Sequence, residues 1–185
     1  MNPSICEWFY SPIVYSNDLE SEFLEQGRKL LIDQDRILPL LHHYKSMAKS
    51  NYKIHIQKND KVKIKKYLYV IRPIAMFLWL LNRENKDIKD FEINLIIILD
   101  DLKTILDSEI YEKIGEIIDK KKHMKELDLE PRIPLIDDWI ENILGDEYSR
   151  KLIEEEKELK KKERDEDYNS LEKYDELLFT ILGFN

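Results

Sequence analysis

The feature that most constrains the fold is a dense apolar and aromatic stretch, KKYLYVIRPIAMFLWLL, from Lys65 to Leu81. Its longest apolar run, Tyr67 to Leu81, has 15 residues and contains Arg72 and Pro73. A membrane span needs about 20 consecutive apolar residues. The stretch therefore predicts a buried helix that seeds the core of a soluble, intracellular protein.

The composition favours helices in a single domain. Charged residues make up 37% of the 185 residues, whereas glycine and proline number only four and six, which is typical of long helices. A hydrophobic content of 43% is enough for an ordinary core. Cys6 is the only cysteine, which excludes an internal disulfide. The first residues, MNPSICEWFYS, lack the basic region and cleavage site of a signal peptide, so a cytoplasmic location is expected.

Apolar residues recur with helical spacing along nearly the whole chain. We predict an all-α fold, a multi-helix bundle with a long charged C-terminal helix and no sheet larger than two strands. Residues 1–145 are predicted to form the helical domain, and residues 146–185 a charged helix followed by a docking helix. A short first helix, from Pro3 to Phe9, is expected to turn Trp8 inward.

Positive charge is concentrated in one segment. Between His43 and Arg72 there are nine lysine and arginine residues and one acid, Asp60, which gives a net charge of +8. Because the whole chain carries −8, the remainder carries −16. A basic segment on an acidic protein is a candidate footprint for phosphates.

The basic segment has helical order. One stripe of lysines is spaced i, i+4, i+8 and a second includes Arg72, each with a tyrosine beside it, which suits phosphates and stacked bases. We expect the two stripes to merge on antiparallel helices joined near Asn59 and Asp60. The candidate binding residues are Lys45, Lys49, Tyr52, Lys53, Lys61, Lys65, Lys66, Tyr69 and Arg72. The alternative is a solvated lysine face, with Arg72 as a structural arginine paired with a carboxylate.

Four blocks together are similar to a known family: NPSICEWFYSPIVY, HHYKSMAKSNYK, KVKIKKYLYVIRPIAMFLWL and EPRIPLIDDWIENIL, within residues 2–144. They resemble the C-terminal part of the RNA repair pathway DNA polymerase beta family, predicted nucleotidyltransferases. The resemblance implies a helical domain that follows a catalytic core carrying a Gly-Ser motif, an Asp-x-Asp pair and a third carboxylate. That core is expected to be absent here.

The residues that remain do not supply the chemistry. Nucleotidyl transfer uses metal ions held by carboxylates. No glycine is followed by serine, and the strings Asp33-Gln34-Asp35 and Asp165-Glu166-Asp167 are predicted to be a helix start and part of a charged run. We expect no catalytic residues, no metal site and no cofactor.

Three functions remain open at this point. The first is a non-catalytic, truncated relative that binds RNA or nucleotide phosphates through a basic helical patch. The second is a helical protein-interaction module. The third is the C-terminal half of a split nucleotidyltransferase whose catalytic partner is a separate chain. No membrane partner is expected.

Overall fold

The protein is described by a computed structural model over residues 3–11, 23–29, 37–82, 91–123 and 129–145, together with residues 150, 154 and 158. Its elements are α1 (Pro3–Phe9), α2 (residues 23–29), α3 (Ile37–His55), β1 (Lys61–Lys63), α4 (Ile64–Asn82), α5 (Leu95–Asp101), a 3-10 turn (Leu102–Thr104), α6 (Ser108–His123), β2 (Leu129–Pro131) and α7 (Pro134–Leu144). The predicted multi-helix fold is confirmed. The charged and docking helices predicted over residues 146–185 lie outside the described residues, except that residues 150, 154 and 158 are helical and exposed.

Helix α4 is the centre of the core, as its sequence predicts. From Val70 to Leu80 every side chain except Arg72 is buried. A helix that is apolar on all sides must be covered on all sides. Helices α3, α5, α6 and α7 pack around it.

Pro73 lies inside α4 and leaves one carbonyl without its usual partner. Proline has no N–H, so the carbonyl four residues earlier, that of Tyr69, receives no helical hydrogen bond from it. The side-chain amide of Asn51 on α3 donates to this oxygen at 3.0 Å. The replacement bond fixes the position of α3 against α4 at Tyr69.

Helix α3 runs antiparallel to α4 and presents a continuous inner face. Its buried residues are spaced at helical intervals and are Ile37, Leu40, Leu41, Tyr44, Ala48 and Tyr52. Pro39 is the third residue of the helix, where a missing N–H costs no intrahelical bond.

A two-stranded antiparallel sheet precedes α4 and α7. Its register pairs Lys61 with Pro131, Val62 with Glu130 and Lys63 with Leu129. The sheet agrees with the prediction of no sheet larger than two strands, although the sequence did not indicate where the strands pair. Val62 is buried while Lys61 is exposed, which is the alternation that a strand of three residues can show.

Side chains cap the later helices. The Asn94 carboxamide accepts a hydrogen bond from the backbone N–H of Ile96 at 3.0 Å, so the run Leu95–Leu99 is helix rather than strand. Asp107 accepts from the N–H of Glu109 at 2.8 Å at the start of α6.

The first helix is oriented differently from the prediction. Phe9 and Cys6 are buried, but Trp8 is 68% exposed, so the inward orientation predicted for Trp8 is wrong. Cys6 and Phe9 lie three residues apart and share one helix face, whereas Trp8 is rotated about 100° from Phe9 and leaves that face. The Phe9 ring packs against Phe23 of α2, with 5.4 Å between centroids.

Candidate nucleic-acid interface

The end of α3 and the start of α4 bring two aromatic rings and a lysine together. Besides the bond between Asn51 and Tyr69, the ammonium of Lys66 lies 3.5 Å from Nε2 of His55. The His55 and Tyr69 rings meet edge to face at 6.3 Å. Burial, and then the charge of Lys66, lower the pKa of His55. Both effects favour the neutral imidazole.

The α4 surface consists of Lys65, Lys66, Tyr69 and Arg72. Lys65, Tyr69 and Arg72 lie at i, i+4 and i+7, which places them on one helix face. Tyr69 is 47% exposed, and the Lys66 ammonium lies 4.7 Å from the centre of its ring. Four residues before Lys65, Lys61 is exposed on β1. This is the part of the candidate site that combines cations with an accessible aromatic ring.

The α3 lysine stripe, Lys45, Lys49 and Lys53, faces elsewhere. Lys45 donates to the Gly145 carbonyl beyond α7 at 3.3 Å, and its ammonium lies 5.8 Å from the Phe77 ring centre. Lys49 and Lys53 are exposed.

The two groups of basic residues do not form the single patch expected from the sequence. Asn51 and His55, which contact α4, each lie two residues, or about 200°, from a lysine of the α3 stripe. The stripe therefore borders α7 and the far side of α3, whereas the α4 surface lies at the other edge of the helix pair.

Arg72 has the carboxylate partner expected of a structural arginine, but its side chain is only partly buried. Its guanidinium lies 3.5 Å from Oε2 of Glu7 on α1, and its side chain is 43% exposed. Oε1 of the same carboxylate accepts a hydrogen bond from the Tyr44 hydroxyl at 2.9 Å. Burial and the Glu7 carboxylate raise the pKa of Tyr44, so the hydroxyl remains a donor. Arg72 is thus paired with a carboxylate while part of its side chain remains accessible.

Tyr52 lies in the interior, although the sequence grouped it with the lysines. It is 3% exposed. Its hydroxyl donates to Oε1 of Glu141 at 2.6 Å and accepts from the Arg132 guanidinium at 3.0 Å. Burial first, and then the bond to Glu141, raise the pKa of Tyr52. A ring enclosed in this way cannot stack on a base, so Tyr52 does not belong to the accessible surface.

The same network continues to Asp137 and Tyr67. Arg132 donates to Oδ2 of Asp137 at 2.9 Å, and the Tyr67 hydroxyl donates to Oδ1 at 3.0 Å. The Tyr67 hydroxyl also accepts the backbone N–H of Ile133 at 2.9 Å. Burial raises the pKa of Tyr67 to about 12 and raises that of Asp137, which Arg132 and Tyr67 partly counteract. We name these residues the Tyr52 network: Tyr52, Tyr67, Arg132, Asp137 and Glu141.

Sequence reasoning missed the Tyr52 network, although one signal was available. Asp137 stands between Ile136 and Ile140, both buried, in the apolar repeat of α7. An acid on the inner face of an amphipathic helix requires a partner. The network holds α3, α4 and α7 together, which is a structural role.

A cleft of about 390 Å³ lies at the other end of α4. Its walls are Trp79, Asn82, Glu92, Ile97, Asp101, Leu102 and Ile105. The Trp79 indole donates to Asp101 at 2.8 Å across one side. Ten residues of helix, about 15 Å, separate Trp79 from Tyr69, so this cleft is distinct from the α4 surface.

Within the described ranges, no group of three or more His, Cys, Asp and Glu side chains is arranged to hold a metal ion. The strings Asp33-Gln34-Asp35 and Asp165-Glu166-Asp167 lie outside those ranges. In the same part of the chain, every helix falls short of the length and apolar character needed to cross a bilayer.

These features define a helical protein in which a network of polar contacts joins three helices and in which cations lie around an exposed tyrosine on α4. The chain belongs to the RNA repair pathway DNA polymerase beta family, which it matches over residues 1–179. It is 32% identical over 164 residues to the uncharacterized protein YcgL of Bacillus subtilis (strain 168). That alignment covers 89% of this chain and 58% of the relative, so the chain spans little more than half of the relative's length. No solved structure matches the chain.

Proposed function

We propose that these 185 residues act as a non-catalytic, phosphate-binding part of a polymerase-beta-like protein and bind RNA or nucleotide phosphates through the α4 surface. The observation that carries the proposal is the grouping of Lys65, Lys66 and Arg72 around an exposed Tyr69. Cations position a phosphate backbone, and an aromatic ring beside them contacts a base. The name of the family, which refers to an RNA repair pathway, agrees with this class of ligand.

The proposal assigns the two lysine groups unequal roles. Lys65, Lys66 and Arg72 lie within two turns of one helix and can engage neighbouring phosphates together. Lys45 of the α3 stripe already donates to a carbonyl. Lys49 and Lys53 lie about 200° around α3 from the residues that contact α4, away from Tyr69, so they are expected to add general attraction rather than the main contacts.

A salt titration with two matched charge reversals tests the proposal. Binding of a fluorescent single-stranded RNA is measured by anisotropy at several salt concentrations for the unmodified chain and for K65E/K66E. Each phosphate of a single strand that the protein no longer neutralises should lower the slope of log affinity against log salt by about 0.7, so K65E/K66E should lower it by about 1.4.

The control carries the same change in net charge elsewhere. K121E/K122E reverses two exposed lysines at the end of α6 and should leave the slope near that of the unmodified chain. Equal effects of the two variants would mean that only net charge matters, and the proposed site would be wrong. An effect confined to K49E/K53E would move the site to the α3 stripe.

The absence of catalysis is tested separately. No glycine in the chain is followed by serine, which the resemblance requires for the triphosphate turn. We expect no incorporation of labelled nucleotide into RNA with Mg²⁺ or Mn²⁺. Incorporation that is abolished by D33N/D35N would show that this Asp-x-Asp string holds metal.

A second function, a protein-interaction module, is favoured by a different surface. Ile96, Ile97 and Ile105 beside the 390 Å³ cleft are all exposed. A catalytic chain that carries the Gly-Ser and Asp-x-Asp motifs is one such partner, as in a split nucleotidyltransferase. RNA binding that is undetectable at low salt would favour this function.

A further inference from the structure

We infer that the α4 surface selects single-stranded nucleic acid by stacking one unpaired base on Tyr69, an inference that rests on the proposed phosphate-binding function. Among the described Phe, Trp and Tyr side chains, Trp8 and Tyr69 are the exposed ones, and of these two Tyr69 lies among cations. An exposed aromatic side chain in a basic surface is the usual platform for bases of single strands.

The Tyr69 ring is held in place rather than loosely exposed. Its backbone carbonyl accepts the Asn51 bond, its ring meets the edge of His55, and Lys66 lies over the ring at 4.7 Å. A ring that is already ordered loses little conformational entropy when a ligand stacks on it.

A further exposed apolar side chain lies on α3, close in sequence to the residues that contact Tyr69 and Lys66. Ile54 is 62% exposed, although it adjoins His55 and lies one turn from Asn51, the two α3 residues that contact Tyr69 and Lys66. This exposed isoleucine adds apolar surface on the α3 side of the site, which suits the largely apolar face of a nucleobase.

The flanking charges indicate a strand rather than a free base. Lys65 lies one turn before Tyr69 and Arg72 about one turn after it, and together they span about 10 Å along α4. Cations on both sides of the ring match a backbone that passes across it. In a duplex each base face is covered by its neighbours, so a paired strand can offer phosphates to the cations but no base to Tyr69.

Three probes separate base from phosphate recognition. The first is an unstructured single-stranded RNA, the second is the same RNA annealed to its complement, and the third is linear polyphosphate, which has the charge without bases. We expect the single strand to bind most tightly. We also expect Tyr69→Ala to weaken that binding by about five- to a hundredfold, with little effect on polyphosphate.

Two further variants control the measurement. Tyr69→Phe keeps the ring and should retain most of the affinity. Tyr111→Ala removes another tyrosine that lies beside a lysine, with Lys103 at 5.7 Å, and should leave the affinity for single-stranded RNA unchanged. Because the Tyr69 side chain is exposed and its contact with Asn51 is through the backbone, Tyr69→Ala should keep the melting temperature.

The outcomes distinguish this inference from the function on which it rests. Equal affinity for single and double strands, or indifference to Tyr69→Ala while K65E/K66E still weakens binding, would overturn base stacking and leave phosphate binding intact. Failure of all three probes to bind at low salt would reject the phosphate-binding function itself.

Discussion

Asn51 and Tyr69 lie on neighbouring helices, and the Asn51 side-chain amide donates a hydrogen bond at 3.0 Å to the Tyr69 carbonyl. In a regular helix this carbonyl would accept from residue 73, but Pro73 has no N–H. The asparagine on α3 therefore supplies the hydrogen bond that the proline inside α4 removes. The pair therefore links α3 to α4 next to the exposed Tyr69 ring.

The relationship predicts a thermodynamic coupling between Asn51 and Pro73. Asn51→Ala should lower the free energy of unfolding by about 1 kcal/mol, because the Tyr69 carbonyl is then without a donor. In a Pro73→Ala background residue 73 supplies its own N–H, so Asn51→Ala should cost less. Urea unfolding of the two single variants and the double variant measures the difference, and strict additivity would contradict it.

Tyr52→Phe should affect stability and not RNA binding. The change removes one hydroxyl that links Glu141 and Arg132, and the removal of these charge-assisted bonds should cost about 1–3 kcal/mol. The Phe ring still fills the same buried space. Chemical unfolding and the anisotropy titration on one preparation separate the two effects, and weaker RNA binding with unchanged stability would return Tyr52 to the interface.

The buried tyrosines make the fold sensitive to alkaline pH. The pKa of Tyr67 is about 12 in the folded chain, against an ordinary value of 10.0, so above pH 10 the unfolded chain releases a proton that the folded chain retains. Stability is therefore fully present below pH 10 and falls as pH rises toward 12. Tyr67→Phe should make the decline of the unfolding free energy with pH shallower.

The test for Tyr67 compares how steeply the unfolding free energy falls with pH in the unmodified chain and in Tyr67→Phe. Cys6, whose pKa burial raises to about 11, and the other buried tyrosines contribute to both proteins. Identical slopes for the unmodified chain and Tyr67→Phe between about pH 10 and 12 would show that Tyr67 does not retain its proton.

Substitutions of Arg72 and of its partner Glu7 are expected to change RNA binding in opposite directions. Arg72→Ala should weaken RNA binding while lowering stability by less than about 1 kcal/mol, because an ion pair this exposed is worth little. Glu7→Gln should strengthen RNA binding, since it removes a negative charge from the guanidinium while its amide oxygen can still accept from Tyr44. A large drop in stability with unchanged affinity in Arg72→Ala would make it a purely structural arginine.

Replacement of glycine by alanine is expected to change stability in opposite directions at two positions. A methyl group at Gly27 would overlap the buried Phe9 ring, so Gly27→Ala should destabilise by about 1–3 kcal/mol. At Gly115, on the open side of α6, the added Cβ meets no other atom within 4 Å, and Gly115→Ala should stabilise by up to about 1 kcal/mol. Thermal unfolding of the two variants measures both effects, and each variant is the control for the other.

The sequence predicted the parts of the fold that periodicity determines. The burial of α4 and the inner face of α3 follow from apolar spacing, because a helix repeats about every 3.6 residues. Trp8 was misplaced because a helix of seven residues gives too short a repeat to orient its faces. A strand of three residues, such as β1, is too short for its alternation of polar and apolar residues to identify it as a strand from the sequence.

The candidate site was only partly predictable. Lys65, Lys66, Tyr69 and Arg72 lie close in sequence, and helical spacing was enough to place them on one surface. Tyr52 was different, because its environment is set by Arg132 and Glu141, which lie 80 and 89 residues further along the chain. Local spacing shows which residues share a face, but it cannot show which element covers that face.

The short pairing of β1 with β2 has a kinetic consequence. It joins Lys63 to Leu129, so it closes the intervening residues 64–128 into one loop, at a cost of about 4 kcal/mol in chain entropy. The α3–α4 hairpin closes a far shorter loop, and its contacts can form first. We therefore expect helix α7 and the Tyr52 network to form in the later, slower stage of folding, in which that long loop is closed.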